Sequence, residues 1–113
     1  MANLIMAPVT GQELTVFAYE AIAVSNSAKS FTTATYAPAT YGPASRAFVT
    51  VETDQIRWTC DGSTTPTSTV GHLANEGDVI EIEGIQNIGN FKCIRVTTDA
   101  SINVSYSRFR MGA

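Results

Sequence analysis

Few residues in this chain could do covalent chemistry. One histidine, His72, lies between Gly71 and Leu73, and the only thiols are Cys60 and Cys93. Acyl transfer would need a thiol or a serine within reach of His72, with a carboxylate orienting the imidazole. Asp61 and Asp78 flank the loop that carries His72, so such a constellation can be drawn. No G-x-S-x-G elbow accompanies it. A metal centre on a β-barrel needs several His and carboxylate ligands converging on one ion, which a single histidine does not supply. His72 is therefore expected to be a hydrogen-bonding residue at a loop-to-strand junction. Glu81 and Glu83 could be the paired carboxylates of glycoside hydrolysis. Their spacing of two instead places both on the outward face of one strand, the pattern of a solvated sheet. Gly84 and Gly89 fit neither a phosphate-binding loop nor a dinucleotide fingerprint. The chain is expected to be no enzyme, with no catalytic residue, no cofactor and no metal.

Other conspicuous residues read structurally. Trp58 alternates in phase with Ile56 and Cys60, which makes it a core anchor rather than a sugar platform. Asp61-Gly62 and Gly77-Asp78 are turn pairs in which the Asp side chain hydrogen-bonds its own backbone. Tyr36 and Tyr41 lie in a proline-punctuated stretch, Tyr36–Pro43, where no strand pattern demands them. They either pin that loop to the body or contact a partner.

These residues must be positioned by strands. The chain has 113 residues and a mass of 12.1 kDa, enough for one domain with one modest core. Valine and isoleucine far outnumber leucine, threonine is abundant, and lysine occurs only at Lys29 and Lys92. β-branched side chains favour a pleated sheet, and surface helices usually carry many lysines. The expected class is all-β: a single β-sandwich or jelly-roll-like domain of six to eight strands. It would comprise an extended N-terminal arm (1–11), a core (12–107), a long Pro/Tyr loop and a C-terminal tail (108–113).

Within the core, Leu14, Val16, Ala18, Ile22 and Val24 share one face if the segment alternates. Thr10-x-x-Glu13 could instead open a helix, but the β-branched residues favour a strand. Strands are expected at 47–51, 56–60 and 79–83, the last with Ile80 and Ile82 inward against Glu81 and Glu83. Residues 84–89 read as a short connection. Residues 91–96 and 102–106 are expected to pair as a hairpin across Thr97–Ala100.

Net charge is −3, with seven basic against ten acidic residues. The only basic cluster is Arg108-Phe109-Arg110, so direct nucleic-acid binding is not expected. No apolar run is long enough for a transmembrane helix, so no membrane association is expected. Met1–Pro8 lacks the basic and apolar regions of a secretory signal. Cys60 and Cys93 read as small buried hydrophobes rather than a disulfide.

The run from Val51 to Asp78, with its Ile56-Arg-Trp58, Asp61-Gly62, Pro66-Thr67, Gly71-His72 and Gly77-Asp78 series, resembles small structural proteins of tailed-bacteriophage virions. Ile88-Gly-Asn-Phe-Lys-Cys-Ile-Arg95 and Ile102-Asn-Val-Ser-Tyr106 extend the likeness over residues 46–107. The resemblance implies a β-sandwich that decorates or cements a capsid, with the major capsid protein and sister subunits as partners. It implies a location on the virion surface after assembly in the bacterial cytoplasm, and it brings no catalytic residues. Closed symmetry would make the protein a homo-oligomer, a trimer or a pentamer. A neck, tail or fibre-base position and a carbohydrate- or receptor-binding module are the alternatives. Candidate interface residues are Leu4, Ile5 and Met6 in the arm, Tyr36 and Tyr41 in the loop, and Arg108, Phe109 and Arg110 at the end.

Overall fold

The computed structural model describes residues 12–40 and 42–111. Its elements follow in the order β1 (Gln12–Val24), β2 (Lys29–Ser30), α1 (Thr33–Tyr36), β3 (Arg46–Glu52) and β4 (Ile56–Thr59). Then come β5 (His72–Ala74), β6 (Val79–Glu83), α2 (Ile85–Asn90), β7 (Lys92–Arg95) and β8 (Ala100–Met111). The fold is all-β, with two four-stranded antiparallel sheets ordered β1-β8-β3-β6 and β2-β7-β4-β5.

The chain changes sheet at nearly every connection, and β4–β5 is the one sequential pair that stays together. The expected hairpin of 91–96 with 102–106 does not form. β7 pairs with β2 and β4, whereas β8 pairs with β1 and β3. Both segments bury one face, and alternation says which face is buried but not which strand lies alongside.

Both sheets turn their apolar faces into one core. Ala47, Val49, Val51, Ile80, Ile82, Ile102, Val104 and Tyr106 come from the first sheet, and Ile56, Ala74 and Cys93 from the second. Between them Phe31 stacks on Phe91, with centroids 4.2 Å apart and planes at 3°, and meets Tyr106 edge-on at 5.5 Å. Aromatic pairs in these geometries add about 1 kcal/mol each beyond the burial of their area.

Three further expectations are corrected. Residues 84–89 are not a bare connection: Gly84, at φ 99°, turns the chain out of β6, and α2 follows with Ile88 buried in the core. The tail expected from Arg108 is strand, because β8 runs on to Met111 against Gln12–Thr15. Finally, β1 carries a bulge between Val16 and Ala18, which reverses the phase of its alternation. Ala18 and Ile22 therefore pack against the core, whereas Val16 points outward and is 60% exposed.

Candidate functional site

The turn after β4, the start of β5 and one face of α2 enclose a hollow of about 470 Å³ lined by Thr59, Cys60, Asp61, Thr64, His72 and Asn87. It gathers the thiol, carboxylate and imidazole that the sequence marked as chemically capable. Their contacts are structural. Asp61 Oδ1 accepts the backbone N–H of Thr64 at 2.9 Å and of Ser63 at 3.2 Å, and Oδ2 accepts the Thr64 hydroxyl at 2.7 Å. These donors, the Thr64 hydroxyl foremost, hold the carboxyl at about 2 against an ordinary 3.8. This is the turn expected at Asp61-Gly62. Asp78 does the same work before β6, accepting the Asn75 N–H at 2.7 Å.

His72 stands at the loop-to-strand junction expected, but among the described residues its side chain makes a ring contact rather than a hydrogen bond. It opens β5 directly opposite Trp58, and its ring lies against the indole at 4.8 Å. Among the described residues no hydrogen bond joins His72 to Cys60 or to a carboxylate, so the three groups share a hollow without forming a relay. Trp58 is half-buried and packs on the core, its ring 5.9 Å from Phe91. Gly71 lets the chain entering β5 come close to the β4 backbone: a Cβ there would stand 3.1 Å from the Trp58 carbonyl oxygen, at a φ of +119°. Cys60 and Cys93 are both free thiols. Cys93 is buried, and burial pushes its thiol up to about 12.

A second hollow of about 250 Å³ lies among Asn26, Ser68, Ile94, Arg95, Val96 and Thr97. Its cation is engaged, since Arg95 pairs with Asp99. Among the described residues no three His, Cys, Asp or Glu side chains gather to hold a metal ion. No described helix is long and apolar enough to cross a membrane.

The expected interface residues separate. Leu4, Ile5, Met6 and Tyr41 lie outside the described residues. Tyr36 ends α1, half-buried, with its ring 5.9 Å from that of Tyr106, so it pins the Pro/Tyr segment to the body. Arg108 lies over the Phe17 ring at 5.4 Å, while Phe109 points outward and is 57% exposed. Arg110 falls in β8 opposite Glu13.

The structure adds surface residues that the sequence reading passed over. Leu14 and Val16 turn outward and join Phe109, directly opposite Leu14. Tyr19 and Phe48 stand exposed on the outer face of the first sheet. Phe48 did carry a signal, an aromatic out of phase with Ala47, Val49 and Val51. The bulge hid Leu14 and Val16. Compared with protein-family models, with curated proteins and with solved structures, the chain matches none.

Proposed function

We propose that this chain is a non-enzymatic structural component of a tailed-phage virion, a capsid decoration or cement protein that binds the head shell as a homo-oligomer. In this reading the two sheets form a sandwich of jelly-roll-like kind. The major capsid protein and sister subunits are its neighbours, and the protein sits on the virion surface.

Beside the resemblance over residues 46–107, one observation carries the reading. β3 begins at Arg46, opposite Ser107, so beyond that point β1 and β8 pair only with each other among the described residues. The resulting two-stranded ribbon, Gln12–Thr15 with Arg108–Met111, outruns the sheet and exposes Phe109 beside Leu14, with Val16 at its base. An isolated two-stranded ribbon is marginal in water. An apolar cluster held out on such an element is suited to burial against another subunit.

The test mixes the purified protein with particles that lack it, then measures co-sedimentation and the temperature at which those particles release DNA. Binding with a raised release temperature is the expected result. Binding without stabilisation would move the assignment to a fibre base, and absence of binding to heads would overturn it.

A further inference from the structure

The outer face of the β1-β8-β3-β6 sheet carries a second feature, separate from the ribbon. Tyr19 and Phe48 are both cross-strand neighbours of Ser105, one from each side. They are 60% and 40% exposed. Two strand spacings place these positions about 10 Å apart, with only a serine between.

Tyr19 is held down on the sheet. Its phenol donates to Asn103 Oδ1 at 2.9 Å, and Asn103 lies two residues along β8 from Ser105. The ring therefore leans along β8 instead of standing off it. Asn103 Nδ2 donates in turn to Glu52 Oε2 at 3.3 Å, and the Thr50 hydroxyl donates to the same oxygen at 2.9 Å. A polar chain spanning three strands thus fixes an exposed aromatic ring before any ligand arrives, which reduces the ordering cost of binding.

The neighbouring groups decide what fits. The face carries the carboxylates Glu52, Glu81 and Glu83, and Arg46 is paired with Glu83 at 2.7 Å. Such a surface disfavours phosphate- or sulfate-bearing ligands. Protein interface cores are poor in serine, glutamate and alanine. Here Ser105 and Glu81 complete the row of the two rings and Ala21 adjoins it beside Asn103, while the exposed Val79 and Val16 stand one row to either side. A pyranose ring presents C–H bonds on its faces and hydroxyls at its edges. Two aromatic platforms separated by hydroxyl, amide and carboxylate groups match that pattern over the span of two linked rings.

We propose that this face binds a neutral glycan, laid across β1, β8 and β3 from Tyr19 to Phe48. The proposal is independent of capsid attachment, which uses the ribbon.

The test is an NMR titration of the whole protein with chitohexaose, cellohexaose and maltohexaose, each to millimolar concentration. At least one should give saturable shifts centred on Tyr19, Phe48, Asn103 and Ser105. Tyr19→Ala and Phe48→Ala should each weaken that binding about five- to tenfold. Tyr19→Phe keeps the ring but loses its tether, and should weaken it less. Both positions are exposed, so an unchanged melting temperature will show that the variants fold. No saturable shift with any of the three, binding that survives both alanine variants, or a stronger response to a heparin hexasaccharide would each overturn the proposal. So would capture of a protein partner through the same two rings.

Discussion

Tyr106 of β8 donates its phenolic hydrogen to the carboxylate of Glu20 on β1, at the edge of the aromatic layer formed by Phe31, Phe91 and Tyr36. Glu20 also accepts the Thr32 hydroxyl at 2.7 Å and the Thr32 N–H at 3.1 Å. One carboxylate therefore ties β1, β8 and the approach to α1 together. Tyr106 is fully buried, and its ring could reach this depth only with its hydroxyl satisfied.

Removing either partner should be felt. Tyr106→Phe should cost about 1–2 kcal/mol, because a charge-assisted bond is lost while Glu20 keeps Thr32. Glu20→Ala should cost more, since it leaves a buried hydroxyl without an acceptor. Burial first, then the Glu20 bond, raises the Tyr106 pKa above its ordinary 10.0. The neutral phenol is the form the fold favours. Its contribution is complete below pH 10 and declines as the pH rises above that. Urea midpoints measured across this range should fall for the native chain, and Tyr106→Phe should remove part of the slope.

The two thiols should separate by reactivity. Cys60 is partly exposed at the hollow, whereas Cys93 lies in the core with its thiol pushed up to about 12 by burial. At neutral pH a disulfide reagent should label Cys60 in the folded protein and reach Cys93 only on unfolding. Equal labelling rates would mean that β7 is not packed as described. Cys93 also favours the neutral form, so its contribution to stability is lost from pH 9 upward.

The contrast between β6 and β7 shows what the sequence made legible. Ile80 and Ile82 against Glu81 and Glu83 specify a half-buried strand, and the structure places it so. Phe91 and Cys93 specify an inward face just as plainly, yet that face could not say that β7 lies in the opposite sheet from β8. Partner choice rests on contacts far apart in sequence. The β1 bulge is a different failure: one extra residue at Phe17 reverses the phase, and no composition signal marks it. At the candidate hollow, the Asp61 turn was readable from Asp61-Gly62. The approach of His72 to Trp58 was not, because it depends on β4 and β5 pairing across a loop that spans residues 60–71.

Asp61 should report on that loop. Its lowered pKa means that the ionised carboxylate is the form the turn favours. The stability it confers is present above pH 3.8 and is lost as the pH falls from there through about 2. Asp61→Ala should lower the melting temperature at neutral pH and flatten the acid limb of the melting curve. Asp61→Asn, which keeps an acceptor, should fall between. Calorimetry over this range checks both, and an unchanged acid limb in Asp61→Ala would show that the turn does not depend on the carboxylate.

The ribbon gives the sharpest contrast between stability and assembly. Val16 and Phe109 are 60% and 57% exposed, and replacing either by serine removes little that the folded monomer buries. Such changes should alter monomer stability by no more than about 0.5 kcal/mol. If the ribbon docks onto the shell, the same changes remove apolar surface that is buried only in the particle. The apolar surface each side chain would bury there is worth about 1.5 kcal/mol, so affinity for the particle should fall about tenfold. Val79 supplies the control, because it is 53% exposed on β6, at the opposite edge of the same sheet. Val79→Ser should leave both stability and particle binding unchanged. Equal losses for all three variants would mean that the shell reads the whole sheet face. Loss confined to Val16 and Phe109 would fix the ribbon as the element that docks.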